Sequence, residues 1–355
     1  MRATTVAPRR DARAVPSVVD PRQVPDWDQQ VARLGGGVFH SAGWARTLAQ
    51  TYGYAPQYHV LQRRELSAVL PVFEVSSWLT GRRGIALPFT DACDPLADEP
   101  ADVPALFERA CETGRRRGWR TLEVRGARGR LAPAPASVTF HTHLLDLRRS
   151  EAELFARLEA SNRRAIRRAQ SAGVVVEFSN DRAALDAFYR LLCRTRRKHG
   201  VPPQPHRFFV ALHTELLNRK QGCIALARLG DRIVAGAVYL HFQQSAVYKF
   251  GASDEAFLPC RANNLVMWEA IRAHARQGFD TLDLGRSSST NHGLRAFKRS
   301  FGADERILEY VKYDLRRGAF TTDQDRSSGW HSHLFRHLPI VVSRAIGAAL
   351  YKHIA

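Results

Sequence analysis

Two stretches of this chain repeat each other at a constant offset of 160 residues, and no other feature constrains the fold as much. ERACETGRRRGWRTLEVRG, ending at Gly126, aligns with EAIRAHARQGFDTLDLGR, ending at Arg286. Ala110 meets Ala270, Gly118 meets Gly278, Trp119 meets Phe279, Leu122 meets Leu282 and Glu123 meets Asp283. Each copy reads as a helix, a glycine that ends it, and a short alternating strand. Upstream, SAVLPVFEV and IVAGAVYLHF each follow a charged turn. Order and spacing together predict two copies of one α/β domain packed side by side.

Elements between the landmarks follow from periodicity. Trp44, Leu48 and Tyr52 share one helical face, and QYHVLQ and SAVLPVFEV read as strands joined at Arg63–Glu65. Ser150 to Ala172 reads as one long basic helix, with Leu154, Leu158 and Ile166 on its apolar side. VVVEF is a strand, and DRAALDAFYRLLCRTRRKHG and the segment after VPPQP are helices. Asn263 or Asn264 is expected to cap the helix carrying Leu265, Trp268 and Ile271. Residues 1–24, rich in Arg, Pro and Ala, read as a flexible basic tail without a secretory pattern, and order is expected from Trp27. A polar linker over 316–329 precedes a last amphipathic helix with Leu338, Val342, Ala345 and Ala349 on one face, too short and charged to span a bilayer.

Of the chain's 355 residues, 53 are basic and 34 acidic, a net charge of +19 that favours anionic partners. Only six of the bases are lysine, so arginine-rich codon usage accounts for part of the pattern but not for the surplus. The five cysteines are widely spaced with no CxxC pair, so no disulfide framework and no metal site are expected, and a reducing cytoplasm fits them. The His pairs 141/143 and 331/333 lack a third ligand at usable spacing.

Chemistry concentrates between Tyr248 and Gly302. The loop GRSSSTNHG follows the strand TLDLG, where open α/β sheets bind ligands. Arg286, Ser287, Ser288, Asn291 and His292 offer donors for phosphate or carbonyl oxygens. Lys298 follows in GLRAFKRSFG, a compact ammonium suited to phosphate or a developing oxyanion. There is no Walker, GxSxG, HExxH or dinucleotide pattern, and no activated nucleophile.

The blocks YKFGAS…ANNLVMWEAIRAHARQGFDTLDLGRS…GLRAFKRSFG resemble the second domain of FemAB-type peptidyltransferases. FHSAGWARTLAQTYGY, AVLPVFEVSSWLTGRRGIALPF and RTLEVRG are similar to the first domain of FemAB-like proteins of exopolysaccharide and PEP-CTERM-type clusters. The resemblance covers about residues 35–315 and implies tandem GNAT-like acyltransferase domains, an α/β (α+β) fold: a first domain over 25–146, a second over 147–315, and a linker with a C-terminal helix over 316–355. It implies transfer of an acyl group, with aminoacyl-tRNA the expected donor, to an amine of a small-molecule or lipid-linked envelope or exopolysaccharide precursor, without a covalent enzyme intermediate or a bound cofactor.

By that resemblance Lys298 is the catalytic residue. Tyr248 stands near the acceptor, Asp98 matches an acidic residue of the first domain, and Arg196 and Arg197 lie where the family meets acceptor phosphates. Arg286, Ser287, Asn291 and Phe297 complete the expected binding set. Two departures leave recognition of the standard UDP-linked peptidoglycan precursor unassigned: Asp94 replaces the glycine before Pro95, and Arg46 is the nearest base to the first-domain lysine position. The expected setting is a cytoplasmic monomer that can touch the inner face of the membrane. Acyl-CoA is the competing donor, although GASDEAFLPCRANN lacks the usual pyrophosphate-cradling glycine spacing. A non-catalytic basic scaffold for anionic polymer or membrane is the remaining alternative.

Overall fold

The computed structural model describes residues 15–127, 129–131, 134–322 and 335–354. The first half runs β1 (Ser17–Val19), α1 (Trp27–Arg33), α2 (Ala42–Tyr52), β2 (Ala55–Pro56), β3 (Tyr58–Gln62), β4 (Leu66–Leu70), β5 (Phe73–Ser77), β6 (Gly81–Ile85), β7 (Leu96–Ala97), α3 (Asp102–Arg117), β8 (Thr121–Arg125) and β9 (Val138–Asp146). The second continues α4 (Glu151–Ala156), α5 (Ala160–Ser171), β10 (Val174–Ser179), α6 (Arg182–Lys198), α7 (His206–Glu215), β11 (Gly222–Leu229), β12 (Arg232–Phe242) and β13 (Ser245–Ser253). It ends with α8 (Ala262–Arg276), β14 (Thr281–Asp283), β15 (Ser287–Ser288), α9 (His292–Arg299), β16 (Asp304–Asp314), β17 (Ala319–Phe320) and α10 (Ile340–Leu350).

The repeat is a structural one. α3 crosses from β6 to β8, which pair in parallel with Gly84 opposite Leu122. α8 crosses from β13 to β14, which pair in parallel with Ser245 opposite Thr281. Both helices and both following strands start 160 residues apart, and Gly118 and Gly278 end the helices with φ of 73° and 82°. In the first copy Trp119 packs where a side chain on Gly84 or Gly114 would stand, and Phe279 occupies the matching place in the second.

The copies are fused by exchanged strands. β9 ends the first copy in sequence but pairs with β14 of the second, while β16 pairs with both β9 and β8. One continuous sheet results, in the order β10-β11-β12-β13-β14-β9-β16-β8-β6-β5-β2. β1, β3, β4 and β7 form a separate small sheet. The division at 146/147 stays our proposal for the sequence repeat. An aromatic core joins the halves where Trp44 and Tyr52 of α2 meet Phe208 of α7, with Phe250 of β13 against Phe208 and Phe209. Arg46 and Gln50 of α2 bind Glu215 at 2.5 and 2.8 Å across the same junction.

Several local expectations are corrected. Ordered structure starts before Trp27: β1, inside the supposed tail, pairs with β3, its backbone closing the edge of the small sheet. SAVLPVFEV is two strands, because Pro71 cannot donate to a ladder and the chain changes sheets there, β4 to the small sheet and β5 to the large one. The basic helix over 150–172 is two helices: Glu159 is extended and donates its N–H to Ser300 O at 2.9 Å, which lets Leu154, Leu158 and Ile166 all reach one core. Arg261 at φ 59°, with no side-chain cap, starts α8, and Asn264 Nδ2 instead donates to Asn162 Oδ1 at 2.6 Å. In α10 the buried residues are Ser343 and Gly347, while Val342, Ala345 and Ala349 are exposed; a side chain on Gly347 would strike Pro203 O, so the smallest residues dock. The expected linker over 316–329 is not all loop, since β17 pairs with β16 there; its positions 323–329, residues 1–14 and the His331/His333 pair lie outside the described residues.

Candidate active site at the strand exchange

β13 and β14 pair from Ser245–Thr281 only as far as Val247–Asp283, and β12 slips register against β13 at Val238/Tyr239. Beyond that point β13 diverges, and a cavity of about 740 Å³ opens between it, β14, β9, β16 and β8. Five cations line it, Arg125, Arg196, Lys249, Arg286 and Lys298, against two carboxylates, Asp91 and Glu123. Such a surplus at low dielectric stabilises phosphate or a developing oxyanion.

Lys298 lies in the last turn of α9, which Asn291 caps by accepting from Leu294 N at 3.0 Å. The lysine is 4% exposed. Its Nζ donates to Gly285 O at 2.7 Å and Arg286 O at 3.0 Å. One of three ammonium protons therefore remains for the cavity. Burial pulls its pKa down to about 8, against the opposing charges of Asp91 and Asp283.

Arg286 stacks 4.4 Å above Phe140 and donates to Tyr310 Oη at 2.9 Å. Ser287 is buried, and its Oγ has no partner among the described residues, an unusual condition for a buried hydroxyl and one a ligand would relieve. Tyr248 lines the cavity from β13, its phenol pushed up to about 12 by burial. Gly251 makes room for it, since any Cβ there would overlap Tyr248 Oη.

Six expected residues thus come together here: Arg196, Tyr248, Arg286, Ser287, Asn291 and Lys298. Three do not line this cavity. Asp98 is exposed beyond β7, its backbone N–H on Ser67 O at the rim of the small sheet. Arg197 is exposed, because the next position on α6 turns away from the side that Arg196 presents. Phe297 meets Phe301 edge to face and lines a neighbouring cavity of about 300 Å³ with Thr195, Gly251, Ser253, Asn263 and Met267.

Sequence reasoning missed Lys249, Asp91, Arg125 and Tyr310. Lys249 Nζ, its side chain 5% exposed, donates to Phe89 O at 2.7 Å, lies 3.6 Å from Asp91 and faces the rings of Phe39, Trp44 and Phe250. Burial lowers its pKa, and Asp91 opposes that. Arg125 donates to Leu87 O and Thr90 O, and Tyr310 Oη donates to Asp91 O. Together they hold the 86–95 loop, where Leu87 and Phe89 take φ of 56° and 61°, strained values for non-glycine residues. The scarcity of lysine was the available signal, since Lys249 sits beside Tyr248. His141 and His143 instead face Glu305, at 3.6 and 3.0 Å, which Arg295 also binds.

Residues 156–299 match the acetyltransferase (GNAT) domain family. The fold is similar to that of FemX, with a TM-score of 0.65 at 15% identity over 79% of this chain and 94% of that one. It is also similar to L-PGS from Bacillus licheniformis (TM-score 0.54, 12% identity, 92% and 98% covered). The C-terminal domain of a putative lysylphosphatidylglycerol synthetase from Agrobacterium fabrum gives a TM-score of 0.52 at 16% identity, with 76% and 87% covered. No curated protein matches the chain by sequence. Residues 156–299 thus carry a GNAT acyltransferase domain, which a like helix–strand unit in the first half mirrors, in a tandem fold similar to that of FemX.

Proposed function

We propose that the chain transfers an aminoacyl group from aminoacyl-tRNA to an amine of an envelope or exopolysaccharide-related precursor bound in the cleft at the strand exchange. The observation that carries this reading is the cationic cavity around Lys298. The acceptor amine attacks the ester carbonyl directly. The carbonyl oxygen takes the negative charge, the nitrogen loses a proton, and the tRNA 3′-oxygen leaves and is protonated. Lys298 supports the oxyanion, or a phosphate beside it, with its remaining proton. Arg286, Arg196 and Ser287 orient the acceptor, and Tyr248 lies beside the reacting atoms. The likeness to FemX and to lysylphosphatidylglycerol synthetases supports aminoacyl transfer.

A second reading, acyl-CoA as donor, is favoured by one observation. The cavity lined by Gly251, Asn263 and Met267 abuts the start of α8, which no side chain caps, and the positive end of a helix suits a pyrophosphate. Filter binding with charged and uncharged tRNA, run beside calorimetry with acetyl-CoA, separates the two. Preference for charged tRNA supports the first reading, and saturable acetyl-CoA binding alone overturns it. A scaffold would turn over neither donor.

Under the same reading the chain meets an anionic membrane surface that presents its acceptor. Trp78, Leu79, Val341 and Ile354 are 82%, 52%, 75% and 53% exposed. Trp78 packs on His353 just beyond α10, so at least Trp78 and the chain's last turn lie together. No helix among the described residues is long and apolar enough to cross a membrane.

A further inference from the structure

A second polar cluster lies on the other flank of the second half, away from Lys298. Cys223 of β11, His241 of β12 and His274 of α8 present one ligand atom each, all within 4.8 Å of one another. The residues are 18 and 33 positions apart, so no spacing motif announced them. His274 is buried, with Nδ1 2.6 Å from Ala270 O. That nitrogen therefore carries the proton, and Nε2 presents its lone pair. A backbone carbonyl fixing the far nitrogen is the usual outer support of a metal-binding histidine. His274 Nε2 lies 2.7 Å from His241 Nε2, and Cys223 Sγ lies 3.9 Å from the latter. Phe279 walls both rings at 4.7 and 5.2 Å. A cavity of about 400 Å³ lined by Lys220, Ser179, Asn180 and Gln277 opens onto the three.

From this geometry we propose that Cys223, His241 and His274 bind a divalent borderline-soft transition metal of the zinc class, with the fourth position open to the cavity. One thiolate and two imidazoles select zinc-like ions over magnesium or calcium, which prefer oxygen. Around zinc, with bonds of about 2.0–2.1 Å to nitrogen and about 2.3 Å to sulfur, tetrahedral geometry sets N···N at ~3.3 Å and N···S at ~3.6 Å. His241 Nε2 and His274 Nε2 stand closer than that and Cys223 Sγ stands farther from His241 Nε2, so entry of the ion moves the imidazoles apart and draws the sulfur in. Binding breaks the Cys223 S–H bond and releases that proton to solvent, and the Nε2 proton of His241 passes to its Nδ1. The ion would staple α8 to β11 and β12. The alternative is a plain imidazole–imidazole hydrogen bond with a bystander thiol.

The experiment is titration of the reduced, tag-free, chelator-treated full chain with Co²⁺ and then Zn²⁺. One Co²⁺ per chain, a thiolate-to-cobalt charge-transfer band, four-coordinate visible bands and displacement by Zn²⁺ are expected. Cys223→Ser, checked for its fold by circular dichroism, should lose the charge-transfer band. Should that variant misfold, Zn²⁺ must still protect Cys223 of the unmutated chain from alkylation, read residue by residue by mass spectrometry. No thiolate band, a band that survives in Cys223→Ser, or alkylation of Cys223 unaffected by Zn²⁺ overturns the proposal.

Discussion

Replacing Lys298 tests the proposed chemistry most directly. Its ammonium makes two backbone hydrogen bonds and leaves one proton for the cavity. Lys298→Met keeps the aliphatic stem and removes the charge. Loss of one preorganised donor to a developing oxyanion costs about 2.7–4 kcal/mol, or roughly 10²–10³-fold in kcat. The pH dependence separates this from mere damage. With burial holding Lys298 at about 8, some nine-tenths of it is charged at about pH 7 and some one-tenth at about pH 9. A rate that needs the ammonium therefore falls by about tenfold per pH unit above that value. Asp91, Asp283 and Arg286 face the same group and set its position. Lys298→Arg stays charged throughout and should lose that alkaline fall, whatever it loses in absolute rate. The assay is the initial rate of donor turnover across pH, with the donor that binds. Unchanged turnover in Lys298→Met, or the same alkaline fall in Lys298→Arg, refutes the reasoning.

Lys249→Met should free the 86–95 loop, since Phe89 O and Asp91 lose their buried cation; amide exchange at 87–91 should quicken while β11 and β12 keep their protection. Gly251→Ala places a methyl on Tyr248 Oη and should displace that ring, lowering turnover far more than thermal stability, read by paired rate and melting measurements. Glu305 is held down to about 2 by Arg295 and His143, so it stabilises the fold fully above its ordinary value near 4.5 and loses that contribution as pH falls from there toward 2. Glu305→Gln should flatten the acid limb of a urea-midpoint profile over that window and leave its neutral part less stable than the parent. Trp78→Ser should weaken co-sedimentation with anionic vesicles and leave turnover of a soluble donor unchanged.

The helix–glycine–strand unit was legible in the sequence because its causes are local. Gly118 and Gly278 end helices through positive φ, and the alternation in TLEVR and TLD places every second side chain in a core. Repetition of that pattern at one offset predicted the tandem fold, and the polar loop before Lys298 marked one wall of the cavity. Tertiary structure alone decided what stands opposite. β9 and β16 change partners between the copies, so Tyr310 falls opposite both Arg125 and Val138 and reaches the cavity from a strand with no chemical motif of its own. Lys249 becomes buried because Phe39 and, from α2, Trp44 come over it, and Cys223, His241 and His274 converge only once α8 lies across β11 and β12. Periodicity records which face of an element is covered, because burial acts on each side chain separately. Which element does the covering depends on long-range strand pairing, and that leaves no trace in local spacing.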